Sequence, residues 1–596
     1  MKDWQERLRI IALLVTFTLL AGAYSVVVPL YEAPDEPAHF EYVRYLVKER
    51  RLPAQKEGWL SEAHQPPLYY AIAALVSSVA DFDDPTGAIR LNPKFVWGGH
   101  GAEHNAALHG TAETFPYRGI ALAAHLSRLV SVLSGAVTVF FTYALAKEIF
   151  PNKKYLALLA AALVAFNPQF LFISGVVNPD SMVTMWSTIA LWQMVRLLKK
   201  PLSWKGWMLL GLLIGLAVLS KSSAFTLGLM AAGVLLITAR RQRSWSLLWK
   251  GALATGGAFA VVSGWWFVRN QLLYGDPLGW QFFLKVYAVH LRESPFIWTG
   301  IGRFVWTQFR SYWAVFGWMT VTAPGWFYAA ILALYALSLA GWGRWAVRRG
   351  WSDLEAVQRY GLVTLVAFPL LQEAYQLRAV TIFNPAWYQG RHVFPIVAPV
   401  AILLATGLFH LLPNRGQIIV PTTTIVGLGA LAVWILCFVI APPYRMIPLP
   451  KWRMWFLPYR YDVTFGKYFR LRGSELDMSH WQERRELTMS LYWEAITHPE
   501  LDYSAFVHLV DPAGVVVAQY DEAPGTQQGY LPSAWSPGDI VTSIHHLSVP
   551  PDLPAGRYRF RIGLYFWADG VRLPATEHGN LVGDSIILDE PVLEVK

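Results

Sequence analysis

Long apolar runs alternate with short basic clusters through the first three quarters of the chain. A run must reach about 20 residues to cross the hydrocarbon core of a bilayer as a helix. The first run, residues 10–30, follows basic residues and is long for the core of a signal peptide, so we expect a retained span. Further runs begin near Arg128, Leu156, Pro179, Trp204, Ser223, Gly251, Ala323, Tyr360, Val393 and Gln417. The pattern therefore predicts a polytopic α-helical membrane protein with about eleven spans.

The basic clusters fix the predicted orientation. If the N-terminus is cytoplasmic, an odd span count places each cluster on the cytoplasmic side, as the positive-inside rule requires. The clusters are Lys153 with Lys154, Arg196 with Lys199 and Lys200, Arg240 with Arg241 and Arg243, and Arg344 with Arg348 and Arg349. We therefore expect an integral membrane protein with its long loops at 31–126 and 270–322 and everything after Pro442 outside the cytoplasm.

Two regions outside the predicted spans have a regular pattern of apolar and polar residues. In the first loop, residues 37–47 and 67–80 have helical periodicity but are too short to span, so we expect helices at the membrane interface. Beyond the transmembrane domain (1–445), short alternating strands are predicted at 486–493, 505–510, 514–520, 540–549 and 557–566, separated by turn signals. The C-terminal domain (446–596) is therefore predicted to be an all-β sandwich or jelly roll.

Composition agrees with lipid as the main solvent. The chain is 54% hydrophobic and only 15% charged, against about 25% charged in soluble domains. The net charge of +10 comes from the orienting clusters, so nucleic acid is not expected as a partner. The single cysteine, Cys437, excludes an intrachain disulfide and a cysteine-based metal site.

Two adjacent carboxylates, Asp35 and Glu36, open the first outer loop in the run EAPDEPAHF (32–40). One interpretation is structural: Asp35 caps a helix that has Pro37 in its first turn. The other is chemical: an acid at the membrane face has its pKa tuned and accepts a proton from a substrate hydroxyl. His39 follows Asp35 by one helical turn, so both can face one cavity. The pattern leaves both interpretations open.

Two further polar positions belong to the same outer side. His64 and Gln65 begin the run HQPPLYY (64–70), in which Tyr69 and its neighbour suit the headgroup level, so architecture is the main interpretation. Asp180 lies at the outer end of the fourth predicted span, where it either caps a helix or faces the same cavity as Asp35.

Cations on the outer side run against the positive-inside trend. These are Lys221, between the fifth and sixth predicted spans, and Arg391 with His392, before the tenth. Near the headgroups a cation binds a lipid phosphate, and arginine does so with two parallel hydrogen bonds. Snorkelling of a long side chain explains Lys221 equally well.

A histidine-rich stretch of the first loop suggests a metal site only weakly. His100 and His104 would share a helical face at ligand spacing, with Glu103 and His109 nearby. The surrounding glycines favour a loose loop instead. We therefore assign no metal ligands, and leave open whether the protein uses a divalent cation.

Five stretches together are similar to one known superfamily. They are APDEPAHF (33–40), QPPLYY (65–70), NPD (178–180), RN with YGDP (269–270 and 274–277) and QGRHVFP (389–395). In this order they resemble the GT-C membrane glycosyltransferases, in the family 39 branch with protein O-mannosyltransferases and lipid A aminoarabinose transferases. They also resemble a bacterial membrane family of unknown function that has the same Asp-Glu-Pro-Ala-His start. The resemblance covers about residues 1 to 440.

The resemblance implies a sugar donor carried on polyprenyl phosphate. It places Asp35 near the acceptor hydroxyl, with Glu36 as the second candidate. The aminoarabinose-transferase branch has a lysine, proposed to meet the lipid phosphate, where this chain has Gln65. The donor phosphate must therefore meet another cation, and the candidates are Arg391, ranked first, Lys221, Arg269 and protonated His64.

The resulting hypothesis is an inverting glycosyl transfer on the extracytoplasmic side of the membrane. Asp35 takes the proton of a glycan, lipid or protein acceptor, while cations stabilise the leaving phosphate. The substrate cavity is expected to include His39, Gln65, Tyr69, Asp180 and His392. The alternatives are a lipid or sugar transporter or flippase, and a non-catalytic glycan-binding assembly protein led by the β domain.

Overall fold

The structure is a computed structural model that describes most of the chain. It covers residues 2–595 except 57, 58, 60, 93, 94, 96–104, 111, 112, 200–203, 349, 353, 412–415, 445–447 and 529. For residues 2, 3, 386, 416–420 and 528 it describes the backbone alone. By contacts the chain forms two compact units, one mainly helical and one mainly β.

Helices build the first unit. They are α1 (Lys2–Val27), α2 (Glu36–Glu49), α3 (Leu68–Ser77), α4 (Gly119–Ile149), α5 (Lys154–Ala165), α6 (Pro168–Ser174), α7 (Asp180–Lys199), α8 (Trp204–Ser220), α9 (Thr226–Arg241), α10 (Trp245–Tyr274), α11 (Trp280–Val286), α12 (Ile301–Trp313), α13 (Gly325–Val347), α14 (Ala356–Ile382), α15 (Val397–Leu411) and α16 (Gly416–Ile435). A two-stranded ribbon, β1 (Val315–Phe316) with β2 (Val321–Thr322), follows α12. The two helices expected in the first loop correspond to α2 and α3.

Every predicted span coincides with a helix, but not every helix is long and apolar enough to cross a bilayer alone. Among the described residues, seven helices meet that standard. An eighth span results if α5 and α6, which are bent by 61° at Asn167, are counted as one. The other expected spans are α7, α8 and α14; α7 and α14 carry several charges, and α8 has only 17 residues. The protein is an integral membrane protein, and the count of eleven stays a prediction.

Local sequence signals explain where several of these helices begin and end. The Ser244 hydroxyl caps α10 by accepting the Leu247 amide, and Gly275 ends that helix with a left-handed φ of 70°. Glu355 and Gln358 form a reciprocal capping box at the start of α14. Asn167 accepts the Gln169 and Phe170 amides and so restarts the chain as α6 after the bend.

The second unit is an antiparallel β-sandwich. Its strands are β3 (Tyr459–Phe465), β4 (Phe469–Asp477), β5 (Glu486–Ala495), β6 (Tyr503–Val510), β7 (Val516–Glu522), β8 (Ile540–Ser548), β9 (Gly556–Phe566), β10 (Ala575–Glu577), β11 (Asn580–Gly583) and β12 (Ile586–Val595), with the short helix α17 (Trp481–Arg484) after β4. Six form one sheet in the order β11-β10-β3-β4-β5-β8, and four form another in the order β12-β9-β6-β7. The five predicted strands are confirmed as β5 to β9, and the all-β prediction with them.

One hydrophobic core joins the two sheets. Trp493 and Phe465 from the first sheet pack in the same cluster as Val507 and Ile562 from the second, and all are buried. Burial of alternate residues on β5 and β8 gives each strand one inner face, as the period of two requires.

Part of the first long loop, 31–126, belongs to this β unit. The unit comprises Ile89–Val96 and Asn105–Tyr117 together with Arg445–Lys596. Leu108 is 7% exposed within the β core, and the Arg90 guanidinium donates 3.0 Å to the Tyr530 hydroxyl. The first loop therefore completes the packing of the C-terminal domain, which sequence reading assigned to 446–596 alone.

Replacing Leu108 tests this contribution. We expect Leu108→Asp to destabilise the β unit by about 3 kcal/mol or more, because an unpaired carboxylate replaces a buried apolar side chain. Protease resistance of the C-terminal domain after stepwise heating of the full chain measures the loss. Leu581→Asp, at a position 72% exposed on β11, is the control, and equal resistance of the two variants would contradict the packing described.

Candidate functional site

A cavity of 960 Å³ lies within the helical unit. Its polar lining residues include Asp35, His39, Glu62, His64, Gln65, Lys221, Gln376, Arg391 and His392. Its walls are aromatic: Phe383 stacks on Trp387 at 4.5 Å between ring centroids, and Phe283 packs on Tyr287 at 4.7 Å. The cavity therefore combines opposite charges with an apolar wall, which suits an amphiphilic ligand.

A fully buried ion pair builds the turn that carries Asp35. Glu36, 1% exposed, accepts two hydrogen bonds of 2.7 Å from Arg128, 0% exposed, on α4. The Glu36 carboxylate also accepts the Tyr31 and Val177 amides at 2.9 Å each. Glu36 is thus held among backbone and guanidinium donors, outside the cavity lining. Of the two adjacent acids, only Asp35 reaches the cavity.

The remaining Arg128 donors bind backbone carbonyls at the end of α1 and just after it. They bond the Ser25 and Val28 carbonyls at 2.6 and 2.8 Å, and the Pro29 carbonyl at 2.9 Å. A buried charge pair is tolerable only when its other donors and acceptors are satisfied in this way. The chain between α1 and α2 is therefore fixed on both sides of Asp35.

Asp35 faces the cavity from a left-handed turn. Its φ is 65°, a conformation that aspartate tolerates better than most residues. The structural interpretation expected its carboxylate to cap α2, but the carboxylate accepts from Arg391 instead. Burial raises the pKa of Asp35, but the charge and hydrogen bond of Arg391, with smaller contributions from neighbouring side chains, together lower that pKa to about 2. Asp35 is therefore ionised at neutral pH, and it is a weak base while Arg391 holds it.

Asp180 and Lys221 extend this charge cluster. The Lys221 ammonium donates 2.5 Å to one Asp180 oxygen, and the other oxygen lies 3.7 Å from an Arg391 nitrogen. Asp180 is 2% exposed at the start of α7. Two carboxylates thus balance two cations, so an incoming anion must compete with a carboxylate for each cation.

Gly390, the residue before Arg391, has no space for a side chain. A Cβ on Gly390 would lie 2.2 Å from the Tyr312 amide nitrogen, and the Gly390 amide donates 2.8 Å to the Ser311 hydroxyl. Arg391 itself is 3% exposed, and its Nε donates 2.7 Å to the Gln389 side chain. The guanidinium is thus oriented by its neighbours rather than free at the surface.

Two histidines of the cavity are neutral. Burial lowers the pKa of His39 to about 3, although the Asp35 charge opposes the shift, and its Nδ1 lies 2.8 Å from the Tyr70 hydroxyl. Burial also lowers the pKa of His64 to about 3. His64 lines the cavity as predicted, but as a neutral imidazole instead of the protonated phosphate ligand that the sequence offered.

Glu62 is a cavity carboxylate that sequence reasoning missed. It accepts from the Tyr287 hydroxyl and from the Gln65 amide, each at 3.1 Å, and it is 9% exposed. Burial and then the Asp35 charge raise the pKa of Glu62 to about 7. The signal in the sequence was an acid two residues before His64. Its role depends on Tyr287, more than 200 residues away, which no local pattern indicates.

Asp180 contacts Lys221 and Arg391 but lies outside the cavity lining, and so do two other predicted residues, Tyr69 and Arg269. The Tyr69 hydroxyl bonds Ser131 and the Asn178 amide, so it supports the loop before Asp180. Arg269 donates to the Pro53 carbonyl and stacks on Trp266, 4.8 Å from the ring centroid. Tyr69 and Arg269 therefore lie beside the cavity and do not line it.

The histidine-rich stretch that weakly suggested a metal site is described only in part. His100, Glu103 and His104 lie outside the described residues. In the part of the chain that the structure describes, no group of three or more histidine, cysteine or acidic side chains has metal-ligand geometry.

Comparison with known proteins agrees with the motifs. A family model described as dolichyl-phosphate-mannose-protein mannosyltransferase matches residues 124–267. An undecaprenyl phosphate-alpha-4-amino-4-deoxy-L-arabinose arabinosyl transferase of Pseudomonas aeruginosa is 27% identical over 258 residues, which are 41% of this chain and 40% of that protein. The enzyme of the same name from Pectobacterium carotovorum is 25% identical over 304 residues, 48% of this chain and 46% of that protein.

The chain resembles the GT-C membrane glycosyltransferases, as its motifs predict. It spans about two fifths of the length of the curated Pseudomonas relative. Among solved structures, the crystal structure of ArnT from Cupriavidus metallidurans bound to undecaprenyl phosphate is 15% identical, with a TM-score of 0.43 over 73% of this chain and 65% of that one.

Removing the buried arginine tests what holds the Asp35 turn. We expect Arg128→Ala to lower the stability of the helical unit by about 3–5 kcal/mol, because the Glu36 charge stays buried without its partner. Thermal unfolding in detergent measures the change. Arg7→Ala, at an exposed position of α1, is the control. A melting temperature for Arg128→Ala as high as that of the control would refute the role of the pair.

The pKa of Glu62 predicts a pH dependence with a definite sign. A carboxyl whose pKa rises on folding from 4.5 to about 7 binds its proton more tightly in the folded state, so stability falls as pH rises through that window. We expect the melting temperature of the wild type to fall from pH 4.5 to pH 7 relative to that of Glu62→Gln. Glu49→Gln, at a half-exposed position of α2, should follow the wild type. Parallel curves for wild type and Glu62→Gln would contradict this prediction.

Proposed function

We propose that the protein transfers a sugar from polyprenyl phosphate to an acceptor hydroxyl, with inversion at the anomeric carbon. The observation that carries the proposal is the juxtaposition of Asp35 with Arg391 in the cavity. One group can accept a proton and the other can hold a phosphate, within direct contact of each other. The resemblance to sugar transferases that use undecaprenyl phosphate supports this choice of donor.

Donor binding prepares the base in this proposal. The donor phosphate binds the Arg391 guanidinium, with Lys221 as the second cation. Asp35 is thereby released from its ion pair with Arg391. Because Arg391 makes the largest contribution that lowers the pKa of Asp35, this release raises that pKa and makes the carboxylate a better base. The proton acceptor therefore becomes effective only when the donor is in place.

The transfer itself forms one bond and breaks one. Asp35 takes the proton of the acceptor hydroxyl, whose oxygen bonds to the anomeric carbon as the bond from that carbon to the phosphate oxygen breaks. Polyprenyl phosphate leaves with the electron pair, and Arg391 and Lys221 stabilise its charge. Asp35 then gives its proton to water.

The surrounding residues take supporting roles. Glu36 positions Asp35 through Arg128. His39, His392 and the Glu62 carboxyl line the space left for the sugar. The aromatic walls suit the apolar face of the sugar and the first isoprene units. We propose that the cavity opens on the extracytoplasmic side of a bacterial plasma membrane, since the positive-inside pattern places the Asp35 loop there. The acceptor is a glycan, a lipid or a protein.

Asp35→Asn is the decisive variant for this function. Asparagine matches aspartate in shape and tolerates the left-handed turn, so folding should be retained while proton transfer is lost. We expect the rate of sugar transfer from a radiolabelled polyprenyl phosphate sugar to fall about 100-fold or more. The control is Asp83→Asn, at an acid that is 92% exposed and pairs with Lys48.

Release of free polyprenyl phosphate distinguishes the proposal from its alternatives. A transporter or flippase moves the intact donor, and a glycan-binding assembly protein leaves it unchanged, whereas only transfer cleaves it. Release by the wild type and by Asp83→Asn, but not by Asp35→Asn, is the expected result. Undiminished transfer by a folded Asp35→Asn protein would refute the assignment of the base, and no release by the wild type with any acceptor class would refute the function.

A further inference from the structure

A short segment before the β-sandwich exposes three large aromatic side chains. Residues Lys451–Phe456 form two turns of 3₁₀ helix. Trp452, Trp455 and Phe456 on it are 56%, 71% and 75% exposed. Soluble surfaces seldom present such side chains together, because each exposes a large apolar area to water.

The segment is held firmly on the β unit, so the exposure is not that of a loose tail. Met454 and Leu457 are buried in a small core with Tyr492 and Ile540. The Leu449 amide donates 2.6 Å to the Ile540 carbonyl. Because Met454 and Leu457 are buried, the segment has a fixed position on the β unit. The three aromatic side chains are therefore held on its exposed side.

Along the sequence, the charged residues nearest these aromatics have one sign. Residues 445–461 contain four cations and no acid in the sequence, and the first acid that follows is Asp462. The cations are Arg445, Lys451, Arg453 and Arg460. The described ones among them are exposed, and Arg460 also bonds the Trp455 carbonyl. Aromatic and basic side chains on one exposed surface are the composition that binds the headgroup region of an anionic bilayer.

We propose that this segment, 451–456, docks the β-sandwich onto the surface of the membrane. The aromatics enter the interface and the cations meet anionic headgroups. Chain length favours the same occupant. Helix α16 continues as a π-helical turn, Leu436–Ile440, so only ten residues separate the end of a membrane-spanning segment from Lys451. A glycan or a second copy of the chain would not require the excess of cations.

Site-directed fluorescence on the full chain tests this docking. The only native cysteine, Cys437, is first replaced by serine, and an environment-sensitive dye is attached to Trp455→Cys or to Phe456→Cys. Trp567→Cys is the matched control, because Trp567 is 68% exposed in the same unit but lies beside Asp569. The protein is placed in nanodiscs of phosphatidylcholine and phosphatidylglycerol containing spin-labelled lipid.

We expect lipid to quench the dye at positions 455 and 456 at least about threefold more than at position 567. Lowering the phosphatidylglycerol content should reduce that quenching, and Lys451→Gln should weaken its dependence on phosphatidylglycerol. Equal quenching at the three positions would overturn the proposal. Shielding of position 455 that depends on protein concentration but not on lipid would assign the surface to a second copy of the chain, and so would overturn it as well.

Discussion

The buried ion pair between Arg128 and Glu36 is the constraint on which the site depends. A charge pair with no access to water costs several kcal/mol of desolvation, and it persists only if the remaining donors and acceptors are satisfied. Here the guanidinium donates to three carbonyls at the end of α1, and the carboxylate accepts hydrogen bonds from two backbone amides. One network thus joins α1, α2, α4 and the chain before α7, and it fixes the backbone next to Asp35.

That network gives two adjacent acids different tasks. Glu36 is held among donors with no contact to the cavity lining, and Asp35 is turned into the cavity through a left-handed backbone. There Asp35 meets Arg391, while Asp180 meets Lys221. The cluster of Asp35, Asp180, Lys221 and Arg391 therefore carries little net charge at rest, although it contains two cations. An anionic ligand gains their attraction only by displacing carboxylates, which links phosphate binding to the freeing of a base.

The sequence predicted those features that local patterns determine. Apolar length located a helix at every expected span, and alternation located strands β5 to β9. Seven residues singled out in the sequence line one cavity: Asp35, His39, His64, Gln65, Lys221, Arg391 and His392. Long-range partners were beyond such patterns: Glu36 meets Arg128 across 92 residues and Glu62 meets Tyr287 across 225. Burial, which lowers the pKa of His64, also depends on packing that no local pattern indicates.

The central claim is that the cavity receives a polyprenyl phosphate headgroup at Arg391. The most direct measurement is a cryo-electron microscopy structure of the full chain in nanodiscs loaded with polyprenyl phosphate. The account predicts phosphate density within hydrogen-bond distance of the Arg391 guanidinium, with the Asp35 carboxylate no longer bonded to it. A headgroup bound elsewhere, with the contact between Asp35 and Arg391 intact, would contradict the account.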